Sequence, residues 1–181
     1  RNGKEAEKFD GGKVFENYFK EINKREQERE ARRKATIATF LKEIKEQESK
    51  AKTLASGLKI YSLVEGKGKQ PNHTEQVMVN YAGYFTNGEL FDSNVKAIEE
   101  IYGKYNFMRD QQGGYEAFPM PYNTSAQLIP GFREALLTMK VGDKIRVFIP
   151  SALAYGEKGA RNVIPPNSDL IFDIEITDIA K

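Results

Sequence analysis

Cysteine is absent from this chain. Its absence excludes disulfides, thiolate catalysis and cysteine-ligated metals. The compartment stays open, because cysteine-free chains occur on both sides of bacterial membranes. Histidine occurs once, at His73, in a polar loop beside Pro71 and Asn72. One histidine cannot build both a hydrolytic triad and a zinc site, so Ser/His hydrolysis has little support. No metal and no cofactor is expected. No run of 18 apolar residues exists, so no membrane-spanning helix is expected. The first residues lack a charged n-region followed by an apolar h-region. The chain begins at Arg1 rather than Met, as a processed or truncated piece would. A net charge of +2 is too small to argue for nucleic acid. Gly66-Lys67-Gly68-Lys69 lacks the spacing and the Ser/Thr of a phosphate loop and reads as a turn.

What is present divides in two. Residues 1–53 carry 15 Lys/Arg against 11 Asp/Glu, a net of +4, and residues 54–181 a net of −2. No proline or glycine interrupts Val14 to Ser56, and good helix formers dominate. We therefore expect one helix over 13–54, about 60 Å long, with Gly57 as its C-cap. Its apolar residues gather at the ends, Phe15, Tyr18, Phe19 and Ile22, then Ile37, Phe40, Leu41 and Ile44. Glu28–Arg32 and Glu30–Lys34 are favourable i,i+4 pairs between them. The pattern predicts a solvated rod with docking patches at its ends. The division predicts a charged helical extension or linker over 1–53 and a globular domain over 54–181.

Within 54–181 the pattern is mostly period two. Leu58–Val64 alternates, as do Val77, Val79 and Tyr81 against Met78, Asn80 and Ala82. Thr86-Asn87-Gly88-Glu89 carries a hairpin signal. Ile145, Val147 and Ile149 alternate with Lys144, Arg146 and Phe148. Leu170, Phe172, Ile174 and Ile176 alternate with Ile171, Asp173, Glu175 and Thr177. Phe132, Ala135, Leu136 and Met139 form a helical stripe, so a short helix opened by Pro130 is expected over 131–140. Between 93 and 117, Val95, Ile98, Ile101 and Tyr102 suggest a helical turn or two, and Arg109–Gly114 has loop composition. Strands joined by tight turns around one short helix give an antiparallel α+β domain.

Several motifs occur together in order. They are Val79-Asn80-Tyr81-Ala82-Gly83, Gly88-Glu89-Leu90-Phe91-Asp92-Ser93 and Leu128-Ile129-Pro130-Gly131-Phe132. Val141-Gly142-Asp143-Lys144, Ala154-Tyr155-Gly156 and Ile164-Pro165-Pro166-Asn167-Ser168-Asp169-Leu170-Ile171-Phe172-Asp173 follow. Singly, each aromatic is an ordinary core residue. Together, over roughly Leu54–Ile179, the chain resembles the FKBP-type peptidyl-prolyl cis/trans isomerases, the rapamycin-binding class. The resemblance implies an FKBP-like antiparallel sheet wrapped around a short helix, preceded here by the long helix. It also implies rotation about Xaa-Pro bonds in an apolar pocket, in the service of protein folding.

The family's site residues carry over by motif. Tyr81, Phe91 and Asp92 match the first wall, Leu128 and Ile129 the pocket mouth, and Phe132 the floor. Tyr155 matches the hydrogen-bond donor, and Val163, Ile164 and Phe172 the closing loop and last strand. The resemblance gives the catalytic role to Tyr81, Phe91, Asp92, Ile129, Phe132, Tyr155 and Phe172, and substrate contact to Leu128, Val163 and Ile164. The chain departs from the pattern in places. Phe132 stands where the family usually has Trp, and Ala160 where many members have His. Glu116, beside Tyr115, stands at an aromatic position, and the segment after Asp92 is longer than in short members.

Expected partners are proline-containing polypeptides and macrolides such as rapamycin, with no nucleic acid. The helix would contact a second copy or an upstream domain. Arg1–Ala6 with Phe9-Asp10 resemble the junction in bacterial fusions of a cyclophilin-type isomerase to an FKBP-type domain. A bacterial cell envelope or periplasm is slightly favoured over the cytoplasm. The rival reading is a binding module that recognises proline-containing partners with little turnover. A third reading is nucleic-acid or membrane binding through Arg25, Arg29, Arg32 and Arg33. Glu26, Glu28 and Glu30 interleave with those arginines, so no field of one sign develops.

Overall fold

The computed structural model describes residues 11–181. The Arg1–Asp10 segment, with its fusion-junction motif, lies outside the described residues. Helix α1 spans Gly11–Lys50, 40 residues. Surface pairs Glu16–Lys20 (3.3 Å) and Glu21–Arg25 (3.4 Å) lace its first half, acid first. Glu30 turns to Arg33 at 2.6 Å rather than to Lys34, because Arg33 is held by Glu89 as well. The helix ends at Lys50, short of the expected residue 54. Strand β1 (Lys52–Thr53) draws the chain away by pairing with Lys59 and Ile60. Gly57 is therefore not its cap. At φ +93 it shapes the Leu54–Leu58 turn, whose ends are joined by Leu54 N–H to Leu58 C=O at 2.7 Å.

The remaining elements are β2 (Lys59–Val64), β3 (Gln76–Phe85), β4 (Leu90–Ser93), α2 (Lys96–Ile101), α3 (Phe107–Gln111), β5 (Phe118–Pro121), α4 (Pro130–Leu136), β6 (Lys144–Ile149) and β7 (Leu170–Ile179). All strand pairings are antiparallel, in the order β1-β2-β6-β7-β3-β4. Strand β5 shares the free edge of β3 with β4. It takes residues 76–79, and β4 takes residues 82–84. The 93–117 segment bridges these two partners of one edge. Its second half, expected as loop, holds α3. Asn106 caps that helix by accepting the Arg109 N–H at 3.0 Å, and Gly113 follows it at φ +74. Helix α4 ends at Leu136, before the expected residue 140.

Period two gives the sheet two covered faces. Inward, Val77, Val79, Ile145, Val147, Phe172, Ile174 and Ile176 pack against Phe132, Ala135 and Leu136 of α4. Outward, Ala82, Tyr84, Phe148 and Ile171 meet Phe40 and Ile44 of α1 and Tyr102 beyond α2. The second apolar patch of α1 thus docks on the chain's own sheet. Phe40 stacks on Tyr84 at 4.3 Å and on the Arg146 guanidinium at 4.8 Å. Arg146 in turn grips Asp173 through two bonds of 2.7 and 2.8 Å. The first patch is different. Phe15, Tyr18 and Phe19 are each more than half exposed, and Ile22 is partly buried.

Candidate functional site

An aromatic chain crosses the inner face toward one edge. The Phe132 ring on α4 meets Phe172 of β7 edge-on at 5.2 Å, and Tyr81 of β3 at 6.4 Å. Phe172 continues to Phe91 of β4 at 5.5 Å, also edge-on. Such T-shaped contacts set the positive edge of one ring against the negative face of the next. Gly83 makes the junction feasible. A Cβ there would lie 2.4 Å from Phe91 Cζ and 2.8 Å from Phe172 Cε1. Phe132 and Phe172 are buried, while Tyr81 and Phe91 keep partial access to solvent.

The polar end begins at Tyr81, whose hydroxyl donates to Asp92 Oδ2 at 2.6 Å. Asp92 Oδ1 accepts from Arg109 at 2.7 Å. Burial and the Asp92 bond push the Tyr81 phenol well above its ordinary range. Burial also raises the Tyr155 phenol, and the charge of Asp92 adds to the shift. Both hydroxyls therefore stay protonated as donors at neutral pH. Burial works against the charge of Arg109, but Asp92 and Tyr81 together outweigh it and the net shift is upward. The guanidinium also lies over the Tyr115 ring at 5.1 Å, and Tyr115 stacks on Tyr105 at 5.7 Å. Tyr115, at the sequence position next to an expected pocket aromatic, thus stands behind Arg109.

The other candidates surround this set unevenly. Leu128 and Ile129 are half-buried against the inner core, with Ile129 as the N-cap residue of α4. Ile164 is buried in the same core. Tyr155 is 39% exposed, as an accessible donor would be. Val163 is 54% exposed and lines a surface groove with Phe85, Asn87 and Asn167, and the Phe85 ring meets Phe91 at 5.1 Å. Arg109 lies on α3, in a stretch of loop composition. The Asn106 cap and Gly113 stop were its legible signals, but the ion pair with Asp92 is tertiary. His73 is exposed. Among the described residues no cluster of three His, Asp or Glu side chains could hold a metal ion, and no helix is long and apolar enough to cross a membrane.

Comparison with known proteins agrees with the fold. The family model for FKBP-type peptidyl-prolyl cis-trans isomerase matches residues 67–177. The chain is 37% identical over 130 residues to peptidyl-prolyl cis-trans isomerase Mip of Coxiella burnetii, covering 72% of this chain and 48% of that protein. To isomerase FkpA of Escherichia coli it is 36% identical over 133 residues, covering 73% and 41%. The chain thus spans about half or less of these curated relatives. The crystal structure of Escherichia coli FkpA superposes with a TM-score of 0.56 at 30% identity, covering 92% of this chain and 68% of that one. A Pseudomonas syringae isomerase structure gives 0.56 at 29%, covering 84% and 96%.

Proposed function

This chain belongs to the FKBP-type peptidyl-prolyl cis/trans isomerase family, and we propose that it catalyses rotation about Xaa-Pro bonds in unfolded or partly folded polypeptides. The observation that carries the reading is the continuous aromatic set Phe91, Phe172, Phe132 and Tyr81, ending on the Tyr81–Asp92 bond. Amide resonance sets a rotation barrier of roughly 18–20 kcal/mol. The two prolyl isomers differ by only about 0.5–1 kcal/mol, so only the barrier needs lowering. In the twisted transition state resonance is broken and the carbonyl carries less charge. That form loses less by leaving water than the planar one does. A dry aromatic pocket therefore binds it preferentially, which is catalysis without proton transfer or a covalent step.

In this reading Phe91, Phe132 and Phe172 hold the proline ring. The Tyr155 hydroxyl and the Ile129 N–H steer the substrate carbonyls, Leu128 flanks the chain at the mouth, and Val163 and Ile164 meet it from the closing loop. Asp92 orients Tyr81 or meets the twisted carbonyl. Macrolides such as rapamycin would occupy the same pocket, with affinity lowered because Phe132 lacks the indole N–H of the usual Trp. A bacterial cell envelope or periplasmic setting belongs to the same proposal, and cell fractionation tests it. A protease-coupled or NMR exchange assay on Leu-Pro and Phe-Pro peptides tests the activity. Exchange well above the spontaneous rate supports it. Saturable peptide binding without acceleration would instead favour the binding module.

A further inference from the structure

Glu99 has no part in the mechanism above, yet it is 4% exposed and charged in character. It lies on α2, in the long segment after Asp92. Its Oε1 accepts the Ser93 N–H at 3.1 Å and faces Arg109 at 3.3 Å. Ser93 directly follows Asp92 in the chain, and Arg109 is the group that binds the Asp92 carboxylate. One carboxylate oxygen thus grips the Asp92 backbone from one side and its counter-ion from the other. Tyr102 and Ile98 anchor the same helical stretch on the outer core, which holds the backbone that carries Glu99.

We propose that Glu99 is a positioning residue for prolyl isomerisation, clamping Asp92 through Ser93 and Arg109 and so fixing the Tyr81–Asp92 pair. The inference rests on the isomerase reading. Burial raises the Glu99 carboxyl above its ordinary value, against the Ser93 and Arg109 bonds. A residue kept in that costly state for packing alone would be served as well by Gln or Leu.

The test uses the whole chain with Glu99→Gln and Glu99→Leu, a Phe-Pro peptide, and the exposed Glu100→Gln as control. Glu99→Leu should lower kcat/KM about five- to tenfold, mainly through kcat, and Glu99→Gln about two- to threefold. In an Asp92→Ala background neither should have further effect. The Asp92 carboxyl carbon resonance should move in both variants and stay put in Glu100→Gln. Unchanged kcat/KM per folded molecule, or a loss that simply multiplies with Asp92→Ala, would overturn the clamp. Should Glu99→Leu fail to fold, Glu99→Gln decides, since its amide oxygen can keep both hydrogen bonds while losing the charge. A wild-type chain without turnover would overturn the isomerase reading, and the resonance alone would then decide the clamp.

Discussion

The two faces of the sheet are covered by different chemistry. The inner face is sealed by α4 with aliphatic and aromatic side chains, and the aromatic chain of the site is the continuation of that core. The outer face is sealed by α1 around an ion pair. Arg146 lies under Phe40 and holds Asp173, and Glu43 and Gln47 reach Arg146 at 3.6 and 2.8 Å. A buried pair that loses one partner is far more costly than one never built. The outer face therefore favours one register of α1 on the sheet. The inner face instead supplies dryness, which the proposed reaction needs. Damage inside should strike folding and turnover together, and damage outside should strike folding alone.

Phe132→Ala is the most severe way to test that division. The ring is 4% exposed, so its loss should cost about 3–5 kcal/mol. Turnover should fall in the fraction that folds, because Tyr81 and Phe172 both lose their shared neighbour. Urea unfolding with a parallel exchange assay measures both. Intact turnover in a destabilised protein would separate the pocket from the core and break the comparison.

Ile44→Ala probes the other side. Ile44 is 7% exposed in the outer core, and truncation there should cost about 2 kcal/mol, near the low end for such changes because a helix on a surface can settle. Turnover per folded molecule should stay within about twofold of wild type. A tenfold fall would mean that α1 reaches the site through the sheet.

Much of this contrast was legible in the sequence, and its limits have physical causes. The alternation of Leu170–Thr177 assigned both faces of β7 correctly, because successive side chains of a strand point to opposite faces of its sheet. The apolar ends of α1 announced two contacts, but periodicity cannot say with what. Ile37–Ile44 proved to meet the chain's own sheet. The motif resemblance brought Tyr81, Phe91, Asp92, Phe132 and Phe172 to attention, and the fold sets these five side by side. Arg109 and Glu99 were missed because they lie in the insertion, where no short-range pattern distinguishes a site-facing charge from a solvated one. The end of α1 was misjudged by four residues, since a two-residue β-bridge overrode helix propensity.

Smaller changes sharpen the polar end. Tyr155→Phe and Asp92→Asn should each remove one hydrogen-bonding contribution, about 0.5–1.5 kcal/mol, or at most roughly tenfold in kcat/KM. Neither should shift the urea midpoint as far as Phe132→Ala does. A complete loss of turnover with the fold intact would point to chemistry beyond desolvation-assisted rotation.

The subtlest effect is in pH. No group gives up or takes a proton in a pure rotation, and burial raises the Tyr81 and Tyr155 phenols further from neutrality. kcat/KM should therefore be nearly flat from about pH 6 to 8, where an unperturbed carboxylate or phenol does not titrate. A bell-shaped profile would contradict this. Stability should behave otherwise through Glu99, whose folded carboxyl lies above its ordinary 4.5. Between the unfolded and folded values the native state holds the extra proton, so stability falls as pH rises through that window. Glu99→Gln lacks that slope. Relative to wild type, the variant should gain stability from about pH 4 toward neutrality while turning over more slowly. Thermal unfolding at both pH values reads the difference. A difference that shrinks as pH rises would mean that Arg109 more than compensates the buried charge. Glu99 would then stabilise the fold at neutral pH, alongside the Arg146–Asp173 pair on the outer face.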